Sequence, residues 1–280
     1  MTWRVRVHHE TGYRYDEEVI SSFNEARLTP QTEPRQLTLE ARVKTTPEAS
    51  QYRYWDYWGT QVTAFEVHEP HDALQVVVTS VVETSDELPM PQDAPPWPDI
   101  QAKAQDELFE WMVETPRTRA DAALRSAARK AAGDLDPVGA ALAILIAAAD
   151  RVVYESGATG VQTSAIEAWR LRRGVCQDIA HVSLAMLRAG GLPARYVSGY
   201  LHSVPDAPIG AAVTGESHAW VEVWLGEWWP YDPTNRGPVG ERHVVVARGR
   251  EYGDVSPLKG VYRGHGSHSL GVRVELTRLQ

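Results

Sequence analysis

Short runs in which apolar and polar residues alternate fill the first third of the chain. Residues 4–8, 37–43, 62–67 and 74–82 all show this pattern. A period of two is the mark of strands with one buried face. Turn formers such as Thr29-Pro30 and Trp58-Gly59 separate the runs. Regularly spaced short strands of this kind predict a β-sandwich. The pattern changes at Leu88-Pro89-Met90-Pro91 and Pro95-Pro96-Trp97-Pro98, where the density of proline excludes helix and central strand and marks a linker. Helical spacing follows around residues 106–113, 120–132 and 136–153, the last capped by Asp136 with Pro137 at its first position. From Thr163 onward helix and strand patterns alternate. A final strand, 271–276, has no assignable sheet. The chain therefore reads as α+β: a sandwich over 1–88, a Pro-rich linker with helices over 89–135, a mixed core over 136–270 and a C-terminal strand over 271–280.

Composition narrows the classes. The 28 Lys and Arg against 37 Asp and Glu give a formal charge of -9, with no basic block. That argues against nucleic acid and against anionic membrane surfaces as partners. The longest apolar run, 138–149, is Ala-rich and too short to span a bilayer, so it reads as a buried helix. The first ten residues alternate like a strand and offer no signal-peptide core, which predicts a cytoplasmic protein. A single cysteine fits a reducing compartment and excludes an internal disulfide.

That cysteine carries the candidate chemistry. In Arg172-Arg173-Gly174-Val175-Cys176-Gln177-Asp178 a glycine turn leads into an amphipathic pattern with Ile179, Val182, Met186 and Leu187 at helical spacing. Cys176 then stands at a helix N-terminus, where unpaired N–H groups and the helix dipole favour a thiolate. Downstream, His218 heads the alternating run Ser217-His218-Ala219-Trp220-Val221-Glu222-Val223-Trp224, and Asp232 follows in Tyr231-Asp232-Pro233-Thr234. Thiol, imidazole and carboxylate form the set that thiol acyl transfer needs. Each has a plainer reading: a small buried hydrophobe for Cys176, a surface strand histidine for His218, a turn former for Asp232. Sheet geometry sets a condition on the set. A two-residue hairpin loop at Gly226-Glu227 would put His218 and Asp232 on opposite faces. The set needs one face, so either the loop has an odd residue count or a β-bulge lies between the two; a three-residue loop, Leu225-Gly226-Glu227, sets Asp232 opposite Trp220 and diagonal to His218.

The segments Gly174–Asp178, Gly191-Leu192-Pro193-Ala194-Arg195-Tyr196-Val197-Ser198-Gly199-Tyr200, Ser217–Val223 and Asp232-Pro233-Thr234 together resemble the transglutaminase-like superfamily. The late segment 255–264 is similar to its bacterial branch, which carries an extra N-terminal β domain. The resemblance implies a papain-like, transglutaminase-like core with Cys176, His218 and Asp232 as a catalytic triad. Members range from amide cross-linkers to peptidases and amidases. In that frame the N–H of Cys176 supplies one oxyanion donor. Tyr154 stands where relatives often carry an aromatic donor, though it also reads as an amphipathic core residue. Gln177 and Asp178 share the first helical turn, with Asp178 placed either as a dipole partner or behind the site.

The expected activity is a cysteine-dependent acyl transfer on amide or isopeptide bonds of a peptide or protein, through a thioacyl-enzyme. Hydrolysis is slightly favoured over transamidation, since cross-linking its own cytoplasm would be damaging. The alternative is a non-catalytic peptide-binding or assembly module with the same fold. No cofactor or metal is expected: His8-His9, His202, His243 and the pair His265 and His268 match no ligand spacing. The aromatic cluster Tyr52, Tyr54, Trp55, Tyr57, Trp58 reads as sandwich core and packed strand edge rather than a binding face. The exposed edges of the β domain suit a homo-oligomer.

Overall fold

The computed structural model describes residues 2–86, 88–215, 217–265 and 268–280. The first six strands are β1 (Trp3–Val19), β2 (Ser21–Ala26), β3 (Gln36–Thr46), β4 (Gln51–Trp55), β5 (Gln61–Val67) and β6 (His71–Thr84). Alternation sets their faces: Trp3, Val5, Val7, His9 and Thr11 of β1 are buried, as are Leu74, Val76, Val78, Ser80 and Val82 of β6. The helical region holds α1 (Trp97–Gln105), a 3₁₀ turn at Phe109–Met112, α2 (Ala122–Ala132) and α3 (Pro137–Arg151). The remaining elements are β7 (Val153–Tyr154), α4 (Ala165–Leu171), β8 (Arg173–Gly174), α5 (Cys176–Ala189), β9 (Ala194–Leu201), β10 (Ala212–Gly215), β11 (His218–Trp224), β12 (Trp228–Asp232), β13 (Gly237–Pro238), β14 (His243–Gly249), α6 (Tyr252–Val255), β15 (Leu258–Arg263) and β16 (His268–Arg278).

Strand pairing cuts across the linear order. One N-terminal sheet runs β10-β16-β1-β6-β3 and the other β15-β2-β5-β4. The C-terminal strand thus pairs with β1 over eleven positions, from Val5↔Arg278 to Tyr15↔His268. Strands β10 and β15, which the sequence reading placed inside the 136–270 core, also join the sandwich sheets. The long strands β1 and β6 serve two cores. Near one end Tyr15, Val19, Leu74, Val76 and Val78 meet Phe65 and Leu258 inside the sandwich. Near the other end Trp3, Val5, Val7 and Val82 pack against helices and strands of the mixed core.

Within that core an antiparallel sheet, β13-β12-β11-β9-β14, packs on α5. Helix α5 is not amphipathic in practice: every residue from Gln177 to Arg188 is buried, so it is enclosed on all sides. Two of its polar residues are held internally. Ser183 donates to the Ile179 carbonyl at 2.8 Å, and Arg188 donates to the carbonyls of Trp111, Val113, Ala194 and Arg250. Those carbonyls explain how a guanidinium is tolerated in the interior.

Two local expectations need correction. Helix α1 begins at Trp97, inside the stretch expected to be all linker, and the pattern at 106–113 forms only the short 3₁₀ turn. Pro98 falls in the first turn of α1, where its missing N–H has no intrahelical role. The aromatic cluster is also not core. Strand β4 is a sheet edge, and Tyr52, Trp55 and Tyr57 are 69%, 69% and 74% exposed. Tyr54 and Trp58 are half-buried: the Tyr54 hydroxyl donates to Glu25 at 2.6 Å, and Trp58 meets Trp111 at 5.1 Å between ring centroids, which in turn meets Trp228 at 5.6 Å. The expected cap of α3 forms, with Asp136 accepting from the Gly139 N–H at 2.7 Å, and Asp121 caps α2 in the same way. No helix among the described residues is long and apolar enough to cross a membrane.

Candidate active site

Cys176 is the first residue of α5, and the turn before it is held by Asp178. The Asp178 carboxylate folds back to accept the Val175 N–H at 2.8 Å and the Thr159 hydroxyl at 2.5 Å. This explains Gly174 by close approach: a Cβ there would lie 2.7 Å from both Cβ and Oδ2 of Asp178. Burial pushes the Asp178 carboxyl above its ordinary value, with the two hydrogen bonds opposing. Gln177 is also buried and donates to the Val161 carbonyl at 3.3 Å. With the Val175 N–H taken by Asp178, the Cys176 N–H remains, by helix geometry without an intrahelical acceptor.

His218 and Asp232 meet on the neighbouring sheet. The β11–β12 pairing runs Val221↔Tyr231, Glu222↔Pro230, Val223↔Trp229 and Trp224↔Trp228. The connection is therefore the three-residue loop Leu225-Gly226-Glu227, and the register extended by one pair sets Asp232 across from Trp220. Gly226 makes the loop with φ +97°, a conformation that side chains oppose. His218 Nε2 lies 2.7 Å from Asp232 Oδ2. That leaves Nδ1 for Cys176, which lines the same cavity and, after Asp232, raises the pKa of the ring. The surface reading of His218 does not hold. Its face of β11 is covered, with Trp220 fully buried and Glu222 4% exposed. Glu222 is not solvated either: it accepts from Arg195 at 2.5 Å and from Arg248 at 2.9 Å.

Asp232 combines the two roles that the sequence offered as alternatives. Oδ1 accepts the N–H groups of Thr234 and Asn235 at 3.0 and 3.1 Å, closing the turn. Oδ2 accepts from His218, from the Asn235 amide at 2.7 Å and from His243 Nε2 at 3.2 Å. The Gly240 N–H donates to His243 Nδ1 at 3.3 Å, so His243 carries its proton on Nε2 and donates it to Asp232. Five donors thus surround one fully buried carboxylate. Burial pushes its pKa up, but His218 and His243 outweigh burial and hold it far below the usual carboxylate range. For His218, burial pulls the pKa down, while Asp232 and Cys176 together raise it to about 10. His243 is shifted the other way, chiefly by burial, and stays neutral.

Asn235 and His243 were absent from the sequence-based set. Asn235 follows the Asp-Pro-Thr turn, so its reach toward Asp232 was open to inference from turn geometry. His243 had no local signal. It lies on β14, whose approach to the end of β11 depends on Gly199 of β9, over which the Trp220 ring lies: a Cβ at Gly199 would come within 2.6 Å of it.

His218, Asp232 and His243 each offer one donor atom within 4.8 Å of the others and are the described group whose chemistry would suit a metal. Their donors already hydrogen-bond one another, so an ion would have to replace the His218–Asp232 contact. Tyr154 is 54% exposed, which removes its core reading. It pairs in β7 across from Gly174 and lines the cavity that holds Cys176. That cavity, about 600 Å³, is also lined by Gln177, Tyr196, Thr214 and His218, and by His9 and Thr11 of the N-terminal sheet. A larger groove of about 1560 Å³ on the sandwich lies away from this cluster.

A buried carboxylate, an imidazole and a thiol at a helix start, in a helix-on-sheet core, define a papain-like arrangement. Residues 5–83 match the bacterial transglutaminase-like N-terminal region, and residues 125–233 match the transglutaminase-like superfamily. The uncharacterized protein ML0607 of Mycobacterium leprae is 45% identical over 278 residues, covering 99% of each chain. The uncharacterized protein Rv2569c of Mycobacterium tuberculosis is 35% identical over 297 residues, covering 96% of this chain and 90% of that one. A candidate cysteine protease from Cytophaga hutchinsonii shares the fold, with a TM-score of 0.78 and 22% identity over 100% of this chain and 92% of that one. The chain belongs to the transglutaminase-like superfamily, in the bacterial branch with an N-terminal β region.

Proposed function

We propose that this chain is a cysteine-dependent acyl-transfer enzyme acting on amide or isopeptide bonds of peptides or proteins. The observation that carries the reading is the convergence of Cys176, at a helix start, with His218 on the wall of one cavity, and of His218 with the buried Asp232 at 2.7 Å. The Cys176 thiolate attacks the amide carbonyl, and the developing oxyanion takes a hydrogen bond from the Cys176 N–H. Tyr154, on the cavity wall, is the second donor in this reading. His218 Nδ1 gives its proton to the leaving amine as the C–N bond breaks, which leaves a thioester on Cys176. Water then attacks the thioester while Nδ1 takes its proton. The C–S bond breaks, the acid departs, and the thiolate–imidazolium pair is restored. Asp232 keeps the His218 proton on Nε2 and the ring in place. His243 and Asn235 hold the carboxylate.

Transamidation shares the first half and replaces water by an amine. Hydrolysis is the favoured second half in a cytoplasmic setting, where cross-linking would act on the enzyme's own surroundings. The test is incubation with a peptide library, with and without a primary amine, read by mass spectrometry. Hydrolysis leaves the product pattern unchanged by amine, whereas transamidation adds the amine to the product. Equal turnover by a Cys176→Ala variant would overturn the assignment.

A further inference from the structure

We propose that the acyl-donor segment of the substrate binds as an uncharged, extended strand along the outer edge of β10. This rests on the acyl-transfer reading of Cys176 and names what the cleft accepts. Strand β10 is the last in its sheet, with β16 on one side only. Its register runs Ala212↔Thr277 to Gly215↔Val274, and the Arg278 N–H donates to the Ala211 carbonyl at 3.0 Å. In an antiparallel ladder, hydrogen-bonded pairs alternate with non-bonded ones. Ala211 being bonded to Arg278, Val213 bonds to Leu276. The N–H and C=O groups of Ala212 and Thr214 therefore point away from β16. On the far side of β16 the same parity holds, since the Leu279 N–H donates to Arg4. Ala212 and Thr214 are both exposed.

This edge continues into the reacting groups. Val213 and Thr214 line the same cavity as Cys176 and His218, and β11 begins at His218 a few residues after β10 ends. A peptide added to the edge gains backbone hydrogen bonds without regard to its sequence and is delivered to the thiol. The edge is four residues long, so it recognises a short extended segment and not a folded surface.

The cavity wall sets the side-chain chemistry. Among the described residues lining it there is no Asp, Glu, Lys or Arg, although such residues make up 23% of the chain. Hydroxyls, amides and apolar groups replace them, including Gln177, Tyr196, Ser198, Ser203, Leu270 and Val272. A charged side chain entering there would lose water and find on these walls only the reacting Cys176–His218 pair, whose two charges offset each other. A neutral one, amide or apolar, loses little.

The test uses the full chain and three tripeptidyl chloromethyl ketones with Gln, Lys or Asp next to the ketone. Iodoacetamide, which has no peptide backbone, serves as the reference. Intact-mass spectrometry gives the second-order rate of Cys176 modification, and each peptidyl rate is divided by the iodoacetamide rate. The Gln probe should exceed the Lys and Asp probes by about tenfold or more. Thr214→Pro removes an outward N–H that β16 does not use, on an edge where proline is tolerated. It should lower the Gln-probe ratio about three- to tenfold, the worth of a backbone hydrogen bond. N-methylation of the probe backbone should do the same to the unmodified protein, which keeps the test valid if the proline variant folds poorly. Lys or Asp probes reacting as fast as Gln, or a ratio unmoved by both Thr214→Pro and N-methylation, would overturn the proposal. Failure of iodoacetamide and all probes to modify Cys176 would instead bring down the acyl-transfer reading beneath it.

Discussion

Replacing Asp232 by Asn keeps the shape of a fully buried side chain and removes its charge. In the native site burial pulls the His218 pKa down, and Asp232 with Cys176 raises it to about 10 against an ordinary value of 6.5. A folded-state pKa above the unfolded one means stability that is fully present below about pH 6.5 and is lost as pH rises toward 10. Each pH unit between those limits is worth ~1.4 kcal/mol for His218 taken alone; the thiolate of the proposed pair, which the unfolded chain protonates, works the other way at the lower end, so the wild type should lose roughly 1 kcal/mol between pH 7 and pH 9.5. The buried histidines His9, His181 and His243 are shifted downward, principally by burial, so they are neutral throughout that interval and contribute no slope. Without the carboxylate, burial dominates at His218, and most of the slope should vanish in Asp232→Asn. The variant should also be less stable at pH 7 by about 3–5 kcal/mol, because the donors around the carboxylate lose their charged acceptor. Urea unfolding followed by tryptophan fluorescence at both pH values, for both proteins, gives the difference of differences. A wild-type stability that is level from pH 7 to 9.5, or a variant that falls as steeply as the wild type, would refute the reasoning.

Cys176→Ala should abolish turnover and leave the urea midpoint close to wild type, which activity and unfolding measurements on the same sample check together. Gly174→Ala should destabilise by about 1–3 kcal/mol and slow thiol labelling, since the new Cβ meets Asp178; wild-type stability would disprove that packing argument. Glu222→Ala leaves Arg195 and Arg248 buried beside a missing carboxylate and should cost about 3–5 kcal/mol in urea unfolding, with no loss refuting the argument. Dialysis against a chelator should leave turnover unchanged, because His218 and Asp232 are committed to each other; lost activity restored by a metal would contradict that.

The residues that come together around Cys176 were legible because each depends on local rules. The glycine turn and helix start place Cys176, and strand parity with an odd loop length brings Asp232 to the His218 face. The elements that were not legible depend on distant partners. Nothing within residues 271–276 states that they pair with β1, more than 250 residues earlier in the chain, because an alternating strand fits any open edge. The aromatic residues of β4 have core composition, yet they sit on an edge strand, where Tyr52 and Trp55 are exposed and only half of Tyr54 is covered. Proline near a helix start was read as a breaker, although the first turn tolerates it. His243 reaches Asp232 only because a glycine on an intervening strand leaves room for the Trp220 ring, a relation that spans three segments.

The most direct measurement is the intact mass of the protein quenched in acid during turnover of an activated amide or ester substrate. The account predicts a population carrying the acyl group, mapped by peptide sequencing to Cys176, released by hydroxylamine and absent in Cys176→Ala. In Asp232→Asn it should form slowly. An acyl group on any other residue, or turnover that persists in Cys176→Ala, would contradict it.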